Sequence, residues 1–140
     1  MRSVVTMRRL ARGCVASGFA ASGVLHFARP EPFRAIVPPG LGDPSLLVAI
    51  SGAAELAGAA GLLVPATRRA AGIGLVILLA AVFPANVNMA QHAERFASVA
   101  PAWALWARLP LQAAIAAAVV FAASRSLRAQ AEQPNQTFSI

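Results

Sequence analysis

Charge and cysteine are both scarce in this 140-residue chain. It has no lysine, and only 12% of its residues are charged, about half the share that a soluble globular protein carries. Its one cysteine, Cys14, excludes an internal disulfide and a CxxC redox pair. The twelve basic residues are all arginines, but they lie between long apolar runs, and no nucleic-acid-binding motif is present. The composition therefore argues against a soluble domain, a dithiol enzyme and a nucleic-acid partner.

Long apolar runs take up most of the sequence instead. A membrane-spanning helix needs about 20 predominantly apolar residues, and four segments meet or approach that requirement: residues 10–28, 44–64, 70–91 and 102–123. The first segment is the weakest, because Arg12 and His26 lie near its ends. A soluble four-helix bundle would need a polar face on every helix, and these segments lack one. The sequence therefore predicts an all-α fold, a transmembrane four-helix bundle.

The rest of the chain flanks this membrane domain. Residues 1–9 are predicted to be a basic N-terminus, residues 10–123 the four-helix domain, and residues 124–140 a disordered polar tail. A cleaved signal peptide is the alternative for the N-terminus, but the apolar stretch is poor in leucine and continues to Phe27. The loop over residues 29–43 is dense in proline and glycine, and it is expected to form a short interfacial or re-entrant cap.

The distribution of arginine predicts the orientation of the chain in the membrane. Eight arginines fall on the side that holds both termini and the turn between the second and third spans, whereas the opposite loops hold three arginines and three carboxylates. Positively charged loops stay on the cytoplasmic side. Both termini are therefore predicted to be cytoplasmic, in the inner membrane of a bacterial cell. An aromatic belt is expected near the outer interface, formed by Phe27, Phe33, Phe96, Trp103 and Trp106.

Of the polar residues in the apolar spans, six are the candidates for one site: His26, Ser51, Glu55, Asn86, Arg108 and Gln112. At about 1.5 Å of rise per residue, Glu55 and Gln112 lie near the bilayer midplane, and Arg108 lies about 9 Å from the outer end of its span. Ionisable groups at such depth usually face the interior and pair with one another. We therefore expect one polar cluster in the outer half of the bundle. In it, Glu55 pairs with Arg108 or hydrogen-bonds to Gln112 and Asn86.

This cluster has three interpretations. It is a buried polar clasp that fixes the helix register, a site for a quinone or small-molecule headgroup or for proton transfer, or a docking surface for a partner membrane protein. Pro84 removes one backbone hydrogen bond from the third span, and a kink there either opens a small pocket or only shapes the bundle. No metal or haem site is expected, because the second histidine, His92, lies outside the spans. No nucleophile triad or phosphate-binding loop is present, so no catalytic residue is predicted.

Four stretches of the sequence together resemble a known family. They are "GVLHFARPEPFRAIVPP", "SGAAELAGAAGLLVPATRRAAG", "AVFPANVNMA" and "RLPLQ". Their order and spacing resemble the DoxX family of small bacterial four-helix membrane proteins, over about residues 10–123. The family pattern matches this sequence at His26, Phe27, Pro38, Pro39, Gly52, Glu55, Pro65, Pro84, Asn86, Arg108, Pro110 and Gln112.

The resemblance implies a role in membrane-bound redox chemistry. DoxX proteins are linked with quinone-coupled oxidation of thiosulfate and with oxidoreductase complexes, in which they anchor soluble redox enzymes. For this chain the resemblance implies a redox-associated subunit or anchor without catalytic activity of its own, and quinone is the candidate cofactor. The expected partners are the lipid bilayer, soluble redox enzymes or other membrane proteins, and further copies of the chain. The alternative is a non-catalytic scaffold or chaperone for other membrane proteins. A small transporter is less well supported, because the sequence lacks repeated broken helices.

Overall fold

All regular structure in the described part of the chain is helical. The computed structural model describes residues 2–124, with side chains from Val4 onward. Its elements are α1 (Arg2–Ala28), α2 (Glu31–Ala35), α3 (Pro44–Leu63), α4 (Arg68–Gln91), a 3₁₀ helix (Ala93–Phe96) and α5 (Ala102–Ala123). The all-α prediction is therefore confirmed. Helix α1 begins well before residue 10 and contains residues 2–9 of the predicted basic N-terminus. Residues 125–140 of the predicted tail lie outside the described residues.

Local sequence signals set the helix boundaries on either side of α3. Asp43 caps its N-terminus, because the carboxylate accepts a hydrogen bond of 2.8 Å from the backbone N–H of Ser45. Pro44 occupies the first turn, where its missing N–H costs nothing. At the other end, Thr67 closes the turn to α4 by donating its hydroxyl to the carbonyl of Gly61 at 3.0 Å. Two short connections thus hold α3 between its neighbours.

The four long helices pack in a ring. Helix α1 packs most extensively on α3 and helix α4 on α5, and the α3–α4 and α1–α5 contacts close the ring. An apolar cluster fills one end, where α1 and α4 begin, and includes Leu62, Leu75 and Val119. A second apolar cluster, around Met89 and Leu105, fills the opposite end with the 3₁₀ helix. The predicted polar residues lie between these two clusters.

The outer surface of the ring is apolar. Within residues 2–124, three helices are long and apolar enough to cross a membrane: α3, α4 and α5. Most of their residues are not buried, and large side chains such as Ile50, Ile77 and Val120 are exposed. A soluble monomer rarely exposes contiguous apolar surface of this kind, whereas lipid accommodates it. The fold is therefore typical of a membrane protein. Helix α1 is not among the three; it carries Arg8, Arg9 and Arg12 in its first half.

Candidate functional site: a cavity between the helices

A cavity of about 930 Å³ lies inside the ring, covered on one side by α2 and the loop that follows it. Its wall is mostly apolar, and it receives side chains from all four long helices. The structure brings all six predicted polar residues to this wall: His26, Ser51, Glu55, Asn86, Arg108 and Gln112. They divide into two hydrogen-bonded groups and a set of side chains that have no partner within the described residues.

The first group joins α1 to α3 through the Glu55 carboxylate. The hydroxyl of Ser22 donates to Oε1 of Glu55 at 3.1 Å, and Nδ1 of His26 lies 3.3 Å from Oε2. Both side chains are largely buried, with 9% of His26 and 14% of Glu55 exposed. A buried carboxylate at this depth requires such partners, because an unpaired charge in a low-dielectric interior is costly.

The imidazole of His26 is held in one orientation. Nδ1 lies 2.9 Å from the backbone carbonyl of Ser22, and since a carbonyl oxygen can only accept, Nδ1 carries a proton. That proton points to Ser22, so the 3.3 Å approach of Nδ1 to Oε2 of Glu55 is a close polar contact and not a hydrogen bond, and Oε2 accepts no hydrogen bond from the described residues. The ring of Phe33 stacks on the imidazole, with the centroids 3.8 Å apart and the planes 27° from parallel. Helix α2 therefore covers the cavity directly over His26.

A second contact fixes this cover at its other end. The Nδ2 amide of Asn88 donates to the carbonyl of Ile36 at 3.0 Å, which ties the chain after α2 to α4. Phe33, Ile36 and Val37 all line the cavity. Within the predicted cap over residues 29–43, α2 and its following loop thus cover the cavity. The interfacial or re-entrant placement of this cap stays a prediction.

The second polar group joins α4 to α5. Nδ2 of Asn86 donates to Oε1 of Gln112 at 2.7 Å, and Nε2 of Gln112 donates to the backbone carbonyl of Leu79. Gln112 is buried, and both ends of its amide are bonded. Pro84 has no backbone N–H, so the carbonyl of Ala80, the residue after Leu79, lacks its usual helical hydrogen bond. Helix α4 continues through Pro84 to Gln91, and residues on both sides of the proline line the cavity.

The pairing predicted for Glu55 is wrong. Within residues 2–124, Glu55 forms no ion pair with Arg108 and no hydrogen bond with Gln112 or Asn86. Its partners are on α1, because α1 and α3 are neighbours in the ring, whereas α5 contacts α1 and α4. Ser22 was therefore missed as a partner. The sequence held a signal for it, since Ser22 and His26 lie four residues apart and therefore on one face of α1.

Three polar groups on the cavity wall have no partner in the described part of the chain. They are the exposed guanidinium of Arg108, the hydroxyl of half-buried Ser51 and Nε2 of His26. These groups are hydrogen-bond donors, or become donors on protonation in the case of Nε2. No group of three metal-ligating side chains occurs in residues 2–124. The arrangement suits an uncharged ligand with an apolar body and acceptor atoms.

Comparisons with known proteins identify a family for the chain without a function. Residues 15–125 match the model of the family described as Domain of unknown function (DUF8561). No curated protein and no solved structure matches the chain. The resemblance to the DoxX family stays a prediction.

Proposed function

The chain belongs to the DUF8561 family, and we propose that it is a DoxX-like protein of the bacterial inner membrane that binds a quinone headgroup, or a similar lipid-soluble small molecule, in its cavity. In this proposal it is a redox-associated subunit or anchor, and a partner oxidoreductase supplies the electrons. The observation that carries the proposal is the large apolar cavity, whose wall holds polar groups that have no partner in the described part of the chain.

The proposed topology has four spans and both termini in the cytoplasm. Supporting it, α1 and α4 begin at the same end of the ring, where Arg8, Arg9, Arg12 and Arg68 come together. The loops at the opposite end hold as many carboxylates as arginines. This asymmetry is the one that directs positive segments to the cytoplasmic side. The cavity then lies in the outer half of the membrane, beneath α2.

The polar groups of the cavity match the needs of a quinone headgroup. A quinone has two carbonyl acceptors on an apolar ring, and a binding site for such a molecule combines apolar walls with a few well-placed donors. Arg108 and Ser51 offer such donors from α5 and α3. Asn86 and Gln112 bond to each other, so they shape the wall without requiring the ligand.

The pair of His26 and Glu55 adds a place to hold a proton. The two side chains lie 3.3 Å apart on the cavity wall, and an imidazole and a carboxylate can each take up and release a proton. A bound quinone would supply a carrier for two electrons and two protons. The contribution of this chain is to position the headgroup and to keep a proton beside it. These two tasks are separable by substitution.

Arg108 offers the sharper test, because it has no partner within the described residues and its loss should not disturb the fold. The purified full-length protein in lipid nanodiscs is titrated with a short-chain menaquinone analogue by isothermal calorimetry. Arg108→Gln is expected to weaken binding about tenfold, since a hydrogen bond from a charged donor contributes about 1.5–3 kcal/mol. Arg95→Gln, which removes an arginine outside the cavity, is the control. Unchanged affinity in a folded Arg108→Gln protein would refute the proposal.

A non-catalytic scaffold or chaperone is the second candidate. The observation that favours it is that Ser22, His26 and Glu55 form one clasp between α1 and α3, and Asn86 with Gln112 forms another between α4 and α5. In that case Glu55→Gln lowers thermal stability and loses partners in a pull-down, whereas Arg108→Gln changes neither. Tight quinone binding that depends on Arg108 would contradict this second candidate.

A further inference from the structure

A second cavity, of about 330 Å³, lies at the arginine-rich end of the ring. It is lined by four arginines, Arg8, Arg9, Arg12 and Arg68, together with the apolar side chains of Val4 and Val5. The arginines come from two helices, α1 and α4, that meet at this end. The positive-inside rule explains arginine on this side of a membrane protein, but it does not require four guanidinium groups to surround one cavity. Arg69, next to Arg68, does not line it.

Two of the four guanidinium groups are fixed by backbone carbonyls. Nε of Arg12 donates to the carbonyl of Ala122 at 3.1 Å, and Nε of Arg68 donates to the carbonyl of Leu62 at 3.0 Å. Both carbonyls lie in the last turn of a helix, where the helix dipole is negative and favours a cation. A guanidinium has five N–H donors, so most of the donors of Arg12 and Arg68 remain for another acceptor. The arginines are therefore positioned before any ligand arrives.

Within residues 2–124, no carboxylate lines this cavity. The positive charges of Arg68, Arg9 and Arg8 act on Arg12, which lies among them and is partly buried. The sequence has no acidic residue before Glu31 and none between Glu55 and Glu94. Grouped like charges are unfavourable unless an anion lies between them. Arginine binds the oxygens of a phosphate group through two parallel N–H bonds, so phosphate is the anion that fits the planar guanidinium best.

We propose that this cavity is a binding site for a phosphate group, held by Arg9, Arg12 and Arg68. The headgroup of an anionic phospholipid is the favoured source, because Val4 and Val5 are 46% and 41% exposed beside the arginines. An acyl chain would cover this apolar surface, and anionic lipids are enriched where polybasic segments meet the cytoplasmic leaflet. Soluble phosphate has the same chemistry and is the other source.

Arg9 and Arg69 provide a matched pair for the experiment. Each is exposed and carries one charge at the same end of the protein, but only Arg9 lines the cavity. The full-length protein in detergent is titrated with short-chain phosphatidylglycerol, short-chain phosphatidylcholine and inorganic phosphate, and binding is followed by thermophoresis. We expect phosphatidylglycerol to bind more tightly than phosphatidylcholine. Arg9→Gln should weaken its binding about tenfold, and Arg69→Gln should change it by no more than about twofold.

The outcomes distinguish a lipid occupant from a soluble phosphate occupant, and they distinguish both from a diffuse positive surface. Arg9-dependent binding of phosphatidylglycerol supports the site with a lipid occupant, whether or not inorganic phosphate competes. Saturable, Arg9-dependent binding of inorganic phosphate without lipid binding supports the site with a soluble occupant. Equal effects of Arg9→Gln and Arg69→Gln would overturn the proposal, because they would show a diffuse positive surface. The absence of saturable binding of either anion would also overturn it.

Discussion

Gly23 on α1 and Gly52 on α3 lie against each other at the crossing of the two helices. A Cβ at Gly23 would lie 2.9 Å from the carbonyl oxygen of Gly52, and a Cβ at Gly52 would lie 3.2 Å from that of Gly23. His26 and Glu55 each follow three residues later, on the same faces of their helices. The close approach therefore brings the imidazole and the carboxylate within 3.3 Å. The polar pair at the cavity depends on two residues that have no side chain.

Replacing Gly52 with alanine should separate the two helices and destabilise the protein. The added Cβ would lie 2.7 Å from Cβ of His26 and 2.9 Å from the ring of Phe27, and such overpacking costs about 1–3 kcal/mol. The measurement is thermal unfolding of the purified protein in detergent. Gly13→Ala on α1 is the control, because nothing lies within 4 Å of a Cβ there. Equal melting temperatures for the two variants would show that the crossing tolerates a side chain.

Gln112→Leu should weaken the contact between α4 and α5. The substitution leaves Nδ2 of Asn86 without its acceptor and removes the donor to the carbonyl of Leu79. The loss of bonds to buried polar groups is expected to lower the free energy of unfolding by about 1–3 kcal/mol. Gln91→Leu, at an exposed position where α4 ends, should have little effect. If both leucine variants unfold at the wild-type temperature, the Asn86–Gln112 clasp does not contribute to stability.

Phe33→Ala should loosen the cover of the cavity. The stack of Phe33 on His26 is worth about 0.5–1.5 kcal/mol beyond its buried area, so local opening of α2 should rise about 2- to 12-fold. The measurement is the rate at which trypsin cleaves after Arg34, which is exposed and follows Phe33 directly. Phe83→Ala, on the exposed surface of α4, should leave the cleavage rate after Arg34 unchanged. Equal cleavage rates in the wild type and Phe33→Ala would mean that the stack does not hold α2 in place.

The proposed orientation predicts which loops a membrane-impermeant maleimide can reach. In a Cys14→Ala background, Asp43→Cys should label in intact spheroplasts, because residue 43 lies in the predicted outer loop. Arg69→Cys should label only after the membrane is permeabilised, because the turn before α4 is predicted to be cytoplasmic. The reverse pattern would invert the topology, and labelling of both cysteines in intact cells would contradict a spanning arrangement.

The sequence predicted the helices well because their signals are local. Spans 44–64, 70–91 and 102–123 agree with α3, α4 and α5 to within two residues, since long apolar runs and the prolines at their ends leave few alternatives. The start of α1 was less well predicted. The predicted span begins at residue 10, whereas α1 begins at Arg2, because arginine is a good helix former and continues the helix beyond the apolar stretch.

By itself the sequence determined that the protein is all-helical, that its surface suits lipid, and that polar side chains such as Glu55 and Gln112 lie within the apolar spans. These properties follow from composition and helical periodicity, which act within one segment at a time. Only the tertiary structure decided which polar groups meet. The order of helices in the ring places α1 beside α3, so Glu55 contacts His26 and Ser22, while Arg108 on the cavity wall has no partner among residues 2–124. Depth along a helix can be counted from the sequence, but the neighbour across the interface is set by packing.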